Sequence, residues 1–357
     1  MICGSAFGQP HQRFAVANSR WVLNGYDNIR FMDKILCYTL REEDLAQTAG
    51  GLVNLVLRSC VRVTGHEISA AKFIPEGITC DGEPVRVTHR MQPGQTLQII
   101  LPEERDESKL LPAKGPVRVL YEDEDLIAVD KEAGEVVHPC PGHYADTVAN
   151  YLTEYLKDSS GLRIIGRLDK ETSGVLVFAR NRASAARLQR QREEGRFTRT
   201  YQALCEGWFS EKEKAGTVDH DMEKVPGVLM KMRVCEEGTS GLRAITHYEV
   251  LQELTAEQQM YSLLQLHIDT GRTHQIRVHM ASIEHPLVGD TLYGSAAETE
   301  KMDHVKSMAE ETGAAGQHAM LQAVCVEFDQ PFTGERLCIR SRLETLRLSQ
   351  RMPYERR

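Results

Sequence analysis

The sequence predicts an α+β fold in which a large, mainly antiparallel or mixed sheet carries most of the chain and a small separate module precedes it. Three observations predict it. Strand-like runs outnumber helical ones and do not alternate regularly with them, which argues against a doubly wound sheet. The charged segment Pro102–Pro116 carries three prolines and no apolar period, so it reads as a linker. A length of 357 residues suits one large domain with a small appendage.

Residues 1–31 show no periodicity and read as an extension with little order, Met32 being the expected natural start. MDKILCYTL then gives a first strand. In GLVNLVLRSC, Leu52, Leu55 and Val56 recur at helical spacing, and a basic helix and loop run on through Lys72. Asp81-Gly82 between two strand-like runs is a tight-turn signal, and MQPGQTLQII closes the unit with a turn and a strand. This 32–101 unit resembles, in degenerate form, the small RNA-binding module first described in a ribosomal small-subunit protein. Arg58, Arg62, Lys72, Arg86 and Arg90 are its candidate phosphate contacts.

The second domain is expected over 117–345. VRVLYEDEDLIAVDKEAG gives two strands around an acidic turn, and Gly174–Ala179 is a fully apolar strand. Asn181 caps a helix through Glu194, which Gly195 stops. TYQALCEG, AITHYEVLQEL, SLLQLHID and AVCVEF are further strands.

Apolar residues make up 41% and charged residues 26%, as in ordinary globular chains, and no stretch approaches a membrane span. The amino terminus lacks the pattern of a secretory signal. Nine scattered cysteines without a C-x-x-C pair suggest neither a disulfide framework nor a zinc site, and a reducing cytoplasm is the expected compartment. The net charge of −8 argues at first against nucleic acid. Its distribution reverses that. Between Gly161 and Thr200 ten basic residues face four acidic ones, about +6 over a stretch where short-range fields matter more than the total.

Three segments bring unusual polar residues to the ends of apolar elements. GRLDKETSG (166–174) runs directly into the apolar strand, and charges there are costly unless paired or used. TRTYQALCEG places Tyr201 at a strand start. In DTGRTHQIRVHMA (269–281), Gly271 would permit a close approach, Thr273 would cap a helix, and Ile276, Met280 and Ile283 would form its apolar face. Arg277 would lie one turn inside that helix, where the dipole disfavours a cation and an anionic partner is expected; Asp169 is the candidate.

The runs LYEDEDLIAVDKEAGEVVHP (120–139), RLDKETSGVLVFA (167–179), TRTYQAL (198–204), AITHYEVL (244–251) and TGRTHQIRVHMASIEHPLVGDTLYG (270–294) strongly resemble the RluA-type RNA pseudouridine synthases. FDQPFTGERL (328–337) is a weaker match, and the resemblance covers roughly 117–340. It implies a sheet of pseudouridine-synthase type and an isomerase working without metal or organic cofactor. Asp169 matches the essential aspartate, which attacks the ribose anomeric carbon or the uracil ring so that the base detaches, turns and rejoins through carbon. Arg277 matches the cation paired with it. Tyr201 matches the tyrosine that stacks on uracil and helps remove the ring proton. Ile276 would pack against the base, Arg272 and His274 would contact substrate, and Arg167 would hold the RNA open once the nucleotide has left the stack.

The chain departs from that pattern at Glu132 (commonly proline), Gly166 (histidine), Arg199 (lysine), and Gln322 and Gln330 (histidines). His267, His274, His279 and His285 have no common ligand spacing, so no metal is expected; Ser173, outside any G-x-S-x-G elbow, reads as a loop hydroxyl serving backbone groups. The implied partner is RNA and neither DNA nor membrane: ribosomal RNA first, transfer RNA as an alternative, with a monomer as the default. The rival reading is a non-catalytic RNA-binding or ribosome-assembly factor.

Overall fold

The computed structural model describes residues 33–102, 110–157, 162–228, 230–236, 240–256, 258–294 and 318–343. The expected extension, Met32 and residues 103–109 of the expected linker lie outside them. The chain divides into two compact units: the described residues of Met1–Glu107 with Asn181–Arg187 and Asp329–Arg336, and the described residues of Ser108–Arg180, Leu188–Phe328 and Leu337–Arg357.

In the first unit the order is β1 (Lys34–Thr39), α1 (Val53–Leu55), α2 (Gly65–Ala71), β2 (Ile78–Cys80), β3 (Glu83–Pro84) and β4 (Thr96–Leu101). The sheet runs β1-β4-β2-β3, all antiparallel. α1 continues into a wider turn over Val56–Cys60, so the expected helix is formed. Asp81 and Gly82 take φ of 50° and 88°, the left-handed pair a two-residue hairpin needs. Val53, Val56 and Leu57 share one apolar core with Leu97 and Ile99. Arg58, Arg62, Lys72, Arg86 and Arg90 are all exposed, with Arg90 also donating to the Ala49 carbonyl.

The second unit is an α+β body. Its elements are β5 (Val119–Glu122), β6 (Leu126–Lys131), α3 (Val148–Leu156), β7 (Arg163–Ile165), β8 (Ser173–Ala179), α4 (Arg182–Glu193), whose first turns belong to the other unit, β9 (Thr198–Glu206), β10 (Ala215–Lys224), β11 (Met232–Val234), β12 (Leu242–Ala256), β13 (Gln259–Ile268), α5 (Gln275–Ser282), β14 (Leu321–Asp329) and β15 (Arg336–Arg340). Among the described residues they form an eleven-stranded sheet in the order β11-β10-β12-β13-β9-β14-β8-β6-β5, with β15 on β14 and β7 on β8. Along that path, and between β7 and β8, the pairings are antiparallel except β8 with β14, which is parallel, so the sheet is mixed.

That parallel pair requires Gly174. Its φ is +107°, and a Cβ there would stand 2.2 Å from the Ala323 carbonyl oxygen. Asn181 caps α4 by accepting from the Ser184 N–H at 2.8 Å, and Gly195 ends it with φ +69°. Ser173 opens β8 and donates to the Leu321 carbonyl at 3.4 Å. Of the ten basic residues from 161 to 200, Arg180 and Arg187 are paired with Glu122 and Glu67 from outside the stretch, so the local excess is smaller than the sequence suggests. Among the described residues no helix is long and apolar enough to cross a membrane.

Candidate active site

Asp169 lies half-buried in the turn between β7 and β8, its carbonyl accepting from the Thr172 N–H at 3.1 Å. One buried lysine clamps this turn. Lys131 ends β6 at 1% exposure, and its ammonium donates to the carbonyls of Glu132, Lys170 and Thr172 at 2.8, 2.9 and 2.7 Å. Burial pushes its pKa down to about 8, against the opposing pull of the Glu135, Glu171 and Asp169 charges.

Tyr201 sits in the middle of the sheet, on β9, opposite Leu266 of β13 and Ala323 of β14. It is 5% exposed. Leu168, Tyr201 and Ile276 belong to one apolar cluster, so the neighbours of Asp169 and Arg277 share a core with the tyrosine. Met280 lies in the same cluster and Ile283 packs against it, as the helical spacing predicts.

The cap and partner expected for α5 are corrected. Thr273 does not cap the helix. His274 stands at the N-cap in a left-handed conformation (φ 58°), and the Gln275 amide oxygen accepts from the Arg272 N–H at 3.0 Å and the Thr270 hydroxyl at 2.8 Å. Gln275 thereby ties the preceding loop to the first turn of the helix, whose N-cap makes no side-chain hydrogen bond. Gly271 meets nothing closer than Arg192 Nη2 at 3.7 Å, so no tight approach explains it.

Arg277 is not ion-paired with Asp169. Its Nε and Nη2 donate to the two oxygens of Asp290, each at 2.7 Å. The reason is geometric: a planar fork is satisfied by a carboxylate presented edge-on, and Asp290 is held so by the N–H groups of Leu292 and Tyr293. Burial works against the Arg277 charge, but bonding to Asp290, with further attraction from Asp169, raises its pKa above the ordinary guanidinium value. The Asp169 charge also reaches His274. Burial lowers the His274 pKa, Arg277 lowers it further, and Asp169 opposes both. His274 Nδ1 is 2.9 Å from the Tyr293 hydroxyl, and Arg277 lies 5.2 Å over the Tyr293 ring.

The turn bearing Asp169, the tyrosine strand and the start of α5 thus come together, with Asp169 electrostatically coupled to Lys131, His274 and Arg277. Arg167 and Arg272 are exposed beside them, and Arg272 Nε donates to the Arg243 carbonyl at 3.1 Å. Lys131, Asp290 and Tyr293 are the members that residue patterns did not single out. Lys131 ends an apolar strand, the one local signal available; the other two meet Arg277 from the loop after α5. Among the described residues one group has metal-ligand spacing, Cys325, Glu327 and Cys338, with ligand atoms within 4.8 Å of one another.

The family profile for RNA pseudouridylate synthase matches residues 125–282. An uncharacterized RNA pseudouridine synthase of Aquifex aeolicus (strain VF5) is 35% identical over 272 residues, covering 74% of this chain and 81% of that protein. The chain belongs to the RNA pseudouridine synthase family. A ribosomal large subunit pseudouridine synthase D of Pasteurella multocida (strain Pm70) is 32% identical, covering 71% of this chain and 76% of that protein, which supports the RluA-type branch. Human RNA Pseudouridylate Synthase Domain Containing 1 is similar in structure, with a TM-score of 0.50 at 26% identity over 63% of this chain and 83% of that one. This pseudouridine synthase is accordingly an isomerase that acts on RNA.

Proposed function

We propose that this synthase isomerises uridines of large-subunit ribosomal RNA and that Asp169 is its nucleophile. The observation that carries the reading is the clamped Asp169 turn, set electrostatically beside Arg277 and Lys131, with Leu168 in the same apolar core as Tyr201 and Ile276. Covalent catalysis asks for an oriented carboxylate screened from water, and neighbouring cations offset part of the cost of taking it out of water.

Tyr201 supplies a ring face to the uracil and a hydroxyl for the ring proton in the last step. Ile276 flanks the same base. Arg167, exposed beside the turn, takes the place left by the extruded uridine, while Arg272 and His274 meet the substrate backbone from the start of α5. The relatives named for ribosomal large subunit work support the choice of RNA. The reading includes residues 32–101 as an RNA-binding module, 102–116 as a linker, and a monomer working in the cytoplasm. Mapping pseudouridine across all RNA of a deletion strain tests it. Loss of defined large-subunit sites, restored by the wild-type chain, is expected; loss confined to transfer RNA would overturn the target.

A further inference from the structure

The tyrosine and the aspartate lie on separate elements, and one side chain joins them. Arg199, two residues before Tyr201 on β9, donates from Nη2 to the carbonyls of Ile165 at 3.3 Å and Gly166 at 3.1 Å. Its Nη1 stands 3.4 Å from the Tyr201 hydroxyl. Those two carbonyls lie where β7 hands over to the Arg167–Asp169 stretch. Arg199 Nε is buried without a hydrogen-bond partner, so the head is held through its two terminal nitrogens. Its Cζ lies 5.9 Å from the Phe197 ring, which stacks on Phe328 at 5.1 Å between centroids.

Gly166 admits this head. It has φ +72°, and a Cβ there would stand 3.2 Å from Arg199 Nη1 and 3.3 Å from Nη2. Two of the positions where this sequence departs from the resembled pattern, glycine for histidine at 166 and arginine for lysine at 199, are therefore in contact. A lysine ends in one point-like ammonium, whereas a guanidinium reaches carbonyls and phenol together through a rigid fork.

We propose that Arg199 is a positioning residue: it fixes the Tyr201 hydroxyl against the backbone that carries Asp169, and Gly166 is the residue that makes room for it. The proposal rests on the functional reading above, and it concerns the distance between two groups that must meet one uracil. A displacement of about 1 Å in such a group costs on the order of 100-fold in rate.

The test uses the full chain as wild type, Arg199→Ala, Arg199→Lys, Gly166→His and the Arg199→Lys/Gly166→His double variant. Pseudouridine formation is followed for kcat and KM on ribosomal RNA, and amide hydrogen exchange is followed over residues 163–172. Arg199→Ala is expected to lose about 100-fold in kcat with KM unchanged and to exchange faster over 163–172. Arg199→Lys and Gly166→His are each expected to lose less. Together they should recover much of the loss, because histidine tolerates a left-handed backbone better than most residues and the shorter cation leaves it space. Unchanged kcat in Arg199→Ala, or losses that simply add in the double variant, overturn the role while the functional reading stands. A wild-type chain that forms no pseudouridine overturns both.

Discussion

Arg277 donates from Nε and Nη2 to both carboxylate oxygens of Asp290, each bond 2.7 Å long, with the two side chains almost wholly out of water. The cation beside the proposed nucleophile is thus already paired. What Asp169 meets is an oriented ion pair whose position is set by the loop after α5, and whose attraction is weaker than that of a bare guanidinium.

Asp290→Ala leaves a buried guanidinium unpaired. Such losses cost about 3–5 kcal/mol, so urea unfolding is expected to shift by that order, with activity falling alongside. A change under about 1 kcal/mol would show that water or Asp169 takes over the pairing.

Gly174→Ala forces a Cβ against the Ala323 carbonyl, at a backbone φ of +107° that an L side chain rarely adopts. The contact between β8 and β14 must then open. The expected destabilisation is on the order of 1–3 kcal/mol, read by denaturant titration, with loss of activity because the Asp169 turn feeds directly into β8. A variant as stable as wild type would contradict the close approach.

His279 is fully buried, with Nδ1 2.9 Å from the Thr246 hydroxyl and Nε2 without a partner. Burial, with the nearby His220, lowers its pKa from 6.5 to about 4. The unfolded chain therefore binds more protons between those values. The stability this residue contributes is complete above pH 6.5 and is lost as pH falls toward 4. Melting temperatures from pH 7 to 4 are expected to fall more steeply for wild type than for His279→Gln; parallel curves would rule the titration out.

Sequence patterns exposed those parts of the molecule whose causes are local. The Asp81-Gly82 hairpin, the apolar β8 and the Asn181 and Gly195 ends of α4 each follow from a few adjacent residues. β10 was not legible, because it is mostly solvated, with only Val218 and Met222 buried, and lacks a strand's regular alternation. α3 was missed although Thr147 caps it and Val148, Tyr151, Leu152, Tyr155 and Leu156 recur at helical spacing. At the site, the Arg-Leu-Asp run announced itself as charge against an apolar strand. The Asp290 partnership did not: thirteen residues separate it from Arg277, and nothing in helical spacing points across a loop. The Thr273 cap failed because the N-cap position falls one residue later, at the left-handed His274, which residue type alone does not announce.

In the proposed function the Asp169 carboxylate forms the bond that lets uracil leave and return. Purified wild type and Asp169→Asn, which keeps the shape and removes the charge, should be compared on the same ribosomal RNA for pseudouridine formed and for RNA bound. Undetectable product with binding retained is the predicted result. An Asp169→Asn protein that still makes pseudouridine at the wild-type rate would contradict the account.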